Sequence, residues 1–350
     1  MTPSSLQATP VEGTPLKHLM PGWFGVVMGW CGLALAWHRA HDQLGGAATG
    51  VAVGAGTVAL LAFTLLMLLS AVRARRYRQA LKEDLHHPVR HAFVAAVPIS
   101  LLLLVTLAVA TFGPNVTGLA LLWWLASLSQ FGVTLWVLSR WLRASPVGGG
   151  PAWQWGGITP ALFIPIVGNV LVPLAGVPLG FAPWAAAQFG VGLLFWPVVM
   201  ILFFARLGHA GPMPERLLPT VFIHIAPPAV IGAALLQFGA PLLWAWAMWG
   251  MALFMTFWSL TLTRRLLALP FGVPHWAMSF PLAALAVLTL RLSATDEGGW
   301  LAIPGVAVLT GVSLVILGLS LATLRGLRDG SLLVPEAPPP TASKPIAASA

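Results

Sequence analysis

Charge is what this chain has least of. Asp and Glu number nine in 350 residues, charged residues of every kind make up 8%, and 58% of the sequence is hydrophobic. No soluble globular domain of this size combines those values, so the chain reads as a polytopic membrane protein. Its apolar segments run almost end to end, which leaves no room for a separate soluble domain. The expected organisation is a polar tail at 1–19, one membrane domain at 20–325 and a Pro/Ala/Ser-rich disordered tail at 326–350. Cysteine is nearly absent too: Cys31 stands alone, so no intrachain disulfide can form. Residues 1–20 carry Glu12 and several prolines without a basic start and apolar run, and so predict no cleaved signal peptide.

The same poverty bears on catalysis. A membrane enzyme gathers nucleophiles, bases or metal ligands at one depth. The adjacent acids here, Glu83 with Asp84 and Asp296 with Glu297, fall in loops and read as solvated surface. His86, His87 and His91 straddle Pro88 without a carboxylate or cysteine companion, so no metal site is expected. There is no glycine-rich phosphate loop followed by Lys and no His-Glu-x-x-His motif. The expectation is a protein that is not an enzyme and needs no cofactor. Ion-coupled carriers keep an ionisable residue near the bilayer centre. No Asp, Glu, Lys or Arg lies deep in any apolar segment here.

What charge there is falls on one side. Of 18 Lys and Arg, Arg39 and Arg291 alone face away from the rest when the spans alternate. The positive-inside rule then puts both termini in the cytoplasm. The net charge of +9 is therefore read as a loop cluster (Arg73, Arg75, Arg76, Arg78, Lys82) meeting anionic lipid headgroups, not as a nucleic-acid surface.

About 20 apolar residues cross a bilayer. That length predicts spans at 20–37, 47–72, 92–112, 117–139, 159–177, 184–206, 217–238, 241–263, 273–291 and 300–324. Ten spans agree with two cytoplasmic tails and pair as five hairpins, a structural repeat that closes naturally as a ring. Pro98, Pro165, Pro227 with Pro228, and Pro281 lie inside odd-numbered spans, and the first span has Gly25, Gly29 and Gly32 instead. Proline removes a backbone donor and is tolerated in lipid where neighbours or water satisfy the freed carbonyl, so the odd spans are candidates to line a path. Pro197 and Pro304 break the alternation.

Deep polar residues are few. Ser127, Ser129, Gln130 and Gln188 on even spans read as interhelical hydrogen-bonding groups, whereas Asn169 and Ser279 on odd spans read equally as pathway polarity. His224 reads as a backbone-bonded histidine or as a proton or anion contact. Trp23, Trp123, Trp184 and Trp300 at span ends are expected to anchor in the membrane interface.

Five phrases follow in order along the chain: Pro21-Gly22-Trp23-Phe24-Gly25, His87-Pro88-Val89-Arg90, Thr159 to Pro165 (TPALFIP), Ala226-Pro227-Pro228-Ala229-Val230 and Trp276 to Ala283 (WAMSFPLA). Together they resemble the tellurite-resistance/dicarboxylate transporter family, that of the plant slow-type anion channel and bacterial TehA, over residues 20 to 325. The resemblance implies an all-α, ten-helix protein with five hairpins arranged pseudo-fivefold around a central pore, assembled as a homotrimer. It implies a pore lined by the odd helices, kinked at Pro98, Pro165, Pro227 and Pro281, and closed by an aromatic plug at Phe280. His224, Asn169 and Ser279 are the candidate polar groups along that pore. The partners implied are small inorganic anions and membrane lipids, in a bacterial inner membrane. The leading expectation is a passive channel for chloride and nitrate; the alternative is a carrier or exporter of dicarboxylate, sulfite or tellurite-related anions. A membrane enzyme or a non-conducting structural subunit are the readings from other classes.

Overall fold

Backbone groups in hydrocarbon must be satisfied within the chain, so long apolar segments fold as helices. The computed structural model describes residues 15–142 and 155–334 and contains no strand among them. The principal helices, in chain order, are α1 (Gly25–Arg39), α2 (Gly46–Arg76), α3 (Ala96–Phe112), α4 (Leu119–Ser139) and α5 (Phe163–Leu171). They continue as α6 (Ala182–Ala210), α7 (Ala226–Gln237), α8 (Leu242–Leu260), α9 (Ser279–Ser293) and α10 (Ala302–Arg328). Of the expected tails at 1–19 and 326–350, residues 1–14 and 335–350 lie outside the described residues. Where the second tail is expected to begin, α10 continues to Arg328 and the chain then turns back, with Leu332 against Gly326.

Eight helices among the described residues, counted with the 3₁₀ turns continuous with them, are long and apolar enough to cross a membrane: α2, α3, α4, α6, α7, α8, α9 and α10. The segments expected at 20–37 and 159–177 are not among them. In the first, α1 with its 3₁₀ lead runs 19 residues, Pro21–Arg39, but its glycines, tryptophans, His38 and Arg39 make it less apolar. In the second, α5 has nine residues and is followed after Val172 by the separate turn Pro173–Gly176. Pro173 has no N–H to continue the ladder, which is why α5 stops there.

The odd helices share a construction that periodicity does not reveal. Each begins as a 3₁₀ helix and passes without a break into α: Pro21–Phe24 before α1, Arg90–Ala95 before α3, Pro160–Leu162 before α5, Glu215–Ile225 before α7 and Val273–Met278 before α9. Pro98, Pro165, Pro228 and Pro281 are each the third residue of the α segment, and Pro227 the second. They therefore stand in a first α turn, where a missing N–H costs little and the fixed φ suits the helix. Each of these prolines thus follows directly on a change of helix type. A mid-helix proline does occur at Pro197 in α6.

Contacts sort the helices into two layers. Consecutive helices pack as α1·α2, α3·α4, α5·α6, α7·α8 and α9·α10. The odd helices also pack on one another, α1 on α3, α3 on α5, α5 on α7, α7 on α9 and α9 back on α1. Burial agrees: the apolar stretches of α7, α3 and α9 are 94%, 67% and 61% buried, while those of α2, α4, α6, α8 and α10 are 33% or less. Leu61, Leu68, Leu121, Leu243 and Ile303 on the outer helices are exposed, as a lipid-facing surface requires. Trp300 is exposed at such an end, but Trp23 and Trp123 are core residues. Trp123 donates Nε1–H to the Val172 carbonyl at 3.1 Å and stacks on Phe181, which satisfies its one donor inside the protein.

Lipid supplies no hydrophobic drive between helices, so close backbone approach has to hold α1 on α9. Gly25, Gly29 and Gly32 provide it. A methyl at Gly29 would meet the Ser279 Cβ at 2.7 Å, and one at Gly32 the Ala283 Cβ at 2.8 Å. Gly29→Val is expected to push α1 from α9 and lower stability by about 1–3 kcal/mol, read as an earlier unfolding transition in detergent. An unchanged transition would mean that this contact does not hold the two helices together.

Candidate functional site

The 3₁₀ leads converge on one cavity of about 600 Å³. Every inner helix contributes to its wall: Gly22, Gly25 and Met28 from the first, Phe93, Ala96 and Ile99 from the second, Ile164 and Val167 from the third. Ile223 and Ala226 come from the fourth, and Trp276, Ala277, Phe280 and Pro281 from the fifth. Because all five starts line it, the inner helices run the same way, with their N-termini toward the cavity. Aligned peptide dipoles place about half a positive charge at each such end. A largely apolar chamber rimmed by helix N-termini, with Arg90, Arg216 and Glu215 among its lining residues, favours anions.

The family-implied plug, Phe280, lies in this wall and is 5% exposed. Its ring borders Gly32, where an added methyl would stand 3.2 Å from Cδ2. Pro281 lines the cavity beside it, and Pro98, Pro165 and Pro227 are buried next to the lining residues Ile99, Ile164 and Ala226. Phe280 and Pro281 thus line the cavity, and the other sequence-predicted prolines adjoin its lining residues in the chain.

The polar candidates are placed elsewhere. Asn169 faces α4 and α6: its Nδ2 donates to Thr134 Oγ1 and the Pro165 carbonyl, both at 2.8 Å. Gln130 Nε2 and Thr134 Oγ1 donate to that same carbonyl at 2.7 Å, and Gln188 Nε2 donates to Asn169 Oδ1 at 3.1 Å. Ser127 completes the group by donating to Gln188 Oε1 at 2.6 Å. These side chains join three helices through hydrogen bonds, as the even-span residues are expected to do. Ser279 donates to the Trp276 carbonyl at 2.6 Å and is buried against α1. His224 is fully buried among the rings of Phe163, Phe203 and Trp258, with centroids 5.0, 4.6 and 6.1 Å away.

Sequence reasoning missed the ion cluster at the cavity mouth. Asp84, in the short helix Arg78–His86, is 1% exposed and pairs with Arg73 at 2.7 Å and Arg90 at 2.9 Å. It is a buried acid, not the solvated one expected. Arg90 lines the large cavity and also a neighbouring one of about 220 Å³ with Lys17, His18 and Arg73. His18 is held below the ordinary histidine value, first by partial burial and then by Lys17, Arg73 and Arg90, with Asp84 opposing them. His87 serves the backbone here, since its Nδ1 accepts the N–H groups of Val89 and Arg90, both at 3.1 Å, and so caps the 3₁₀ lead of α3. Ser331, Leu332 and Val334 lie across the same mouth.

Comparison with known proteins converges on one group. The family model described as voltage-dependent anion channel, SLAC1, matches residues 18–324. A tellurite resistance protein TehA homolog of Haemophilus influenzae is 26% identical over 271 residues, covering 77% of this chain and 79% of its own length. An uncharacterized transporter of Methanocaldococcus jannaschii is 23% identical, covering 77% of this chain and 82% of its own. The S-type anion channel SLAH2 of Arabidopsis thaliana is 24% identical over 67% of this chain, which spans 43% of that longer protein. A helical protein whose apolar helices surround a cavity rimmed by helix N-termini, matched over nearly its whole length, belongs to the SLAC1/TehA family of anion channels and transporters.

Proposed function

We propose that the protein is a passive channel for small monovalent anions such as chloride and nitrate, with the path running along the axis of the inner helices and closed by Phe280. One observation carries the reading: all five inner helices wall a single cavity, and Phe280 stands in that wall beside the 3₁₀-to-α junctions. In the full proposal, α1 to α10 all cross the membrane as five hairpins in a pseudo-fivefold ring, with both termini cytoplasmic. The assembly is a homotrimer in a bacterial inner membrane. The 3₁₀ lead lengthens α1 to 19 residues, and the third inner segment is completed by the turn Pro173–Gly176 after α5. Two of the relatives' names, S-type anion channel and tellurite resistance protein, point to anions as the class of cargo.

Anion passage needs a wet path, because dehydrating an ion in hydrocarbon costs on the order of tens of kcal/mol on an idealised estimate. An apolar chamber without a tight site lets ions leave as readily as they enter. Selectivity then follows dehydration cost. Chloride efflux from vesicles holding purified protein tests the mode of transport. Downhill flux that is linear in concentration and indifferent to a pH gradient is expected. Saturable flux driven by a pH gradient and lost in His224→Ala would replace the channel by a carrier.

A further inference from the structure

The inner helices create a problem at their other ends. Parallel helices that offer N-termini to the cavity turn their C-termini to the opposite mouth, each with about half a negative charge. Five such ends repel an anion there with roughly the strength of two full charges. The far ends of two inner helices nevertheless carry arginines: Arg39 is the last residue of α1, and Arg291 lies two residues before the end of α9.

Both arginines share a helix face with the cavity wall. Arg39 follows the cavity-lining Met28 by eleven residues, and Arg291 follows the cavity-lining Phe280 by eleven. Eleven residues make just over three turns, which returns a side chain to within about 20° of the same face and about 16 Å further along. Val287, on that stripe of α9, is partly exposed while Ala286 and Leu288 beside it are 0% exposed.

The ends are also brought together. Gln43, just after α1, donates to Ser293 at the end of α9 at 3.0 Å. Arg291 donates to the Ala233 carbonyl of α7 at 2.9 Å and to Gln237 Oε1 at 3.4 Å. No ion pair holds either arginine among the described residues. Two partly buried arginines at adjoining helix ends are unfavourable unless something offsets their charge, and here helix C-termini and a passing anion would both do so.

We propose that Arg39 and Arg291 form an anion site at the mouth opposite the cavity, taking small inorganic anions and cancelling the negative helix ends. The proposal rests on the channel reading above. A charge about 7 Å from the path in water changes local anion occupancy about threefold. Salt of about 1 M shortens the screening length to about 3 Å and abolishes that effect.

The test uses purified Phe280→Ala protein in planar bilayers at about 20 mM and 1 M KCl. Arg39→Gln and Arg291→Gln are each expected to lower the low-salt chloride conductance about threefold, and the pair about tenfold, with little change at high salt. Arg39→Lys and Arg291→Lys should keep most of it. Equal low-salt conductance in the double variant would overturn the site and leave the channel standing. A Phe280→Ala protein that passes no anions would overturn the channel reading and the site with it. Should Arg291→Gln fail to fold for want of its bond to Ala233, Arg39→Gln, which breaks no hydrogen bond of this structure, decides the matter.

Discussion

Phe280→Ala raises anion conductance by on the order of tenfold or more and lowers stability by less than the ~3–5 kcal/mol of a fully enclosed phenylalanine. The two halves of that result belong together. A phenylalanine truncated inside a packed core costs about 3–5 kcal/mol, because neighbours on all sides lose contact. Phe280 borders the 600 Å³ cavity but is 5% exposed, packed on Gly32 and within the core, so its truncation removes contacts while also enlarging an existing void. Each 1.4 kcal/mol taken from a permeation barrier is a factor of about ten in rate, and a hydrophobic constriction that sheds water presents several of those steps. A core role predicts the opposite pair, a large loss of stability with unchanged conductance. Bilayer recording and a thermal melt on one preparation separate the two.

Asp84→Asn is expected to destabilise the protein by about 3–5 kcal/mol, because removing one partner of a buried ion cluster leaves the others uncompensated. The geometry makes this site severe: Asp84 is 1% exposed and is the one acid between two arginines, Arg73 at 6% and Arg90 at 25% side-chain exposure. Arg73 also donates Nε to the Lys17 carbonyl at 3.0 Å, so the cluster ties the chain before α1 to the end of α2 and the start of α3. Chemical unfolding in detergent micelles measures the loss. A shift below about 1 kcal/mol, the scale of an exposed pair, would mean that the cluster is solvated after all.

The membrane character and most of the apolar helices were legible because length and uninterrupted hydrophobicity determine both. The prolines show where legibility stops. Their positions mark the inner helices, but the passage from 3₁₀ to α at residues 95–96, 162–163, 225–226 and 278–279 leaves no trace in hydrophobic pattern. The prolines read as kinks, and they stand just past those changes of helix type. Asp84 was misread because its partners lie 11 residues before it and six after, on elements whose meeting is tertiary. Asn169 was ambiguous for a related reason: residence on an odd helix does not tell which side of it faces the lumen, and Asn169 turns to α4 and α6. Pro304, third in α10 after another 3₁₀ lead, shows that the same start also serves an outer helix.

Reversal potential is the most direct test of passive anion conduction. With purified Phe280→Ala protein between about 300 and 30 mM KCl, anion selectivity sets the current to zero near the chloride equilibrium potential. Larger, more strongly hydrated anions such as sulfate should carry less current than chloride or nitrate. A reversal near the potassium equilibrium potential would contradict anion conduction outright.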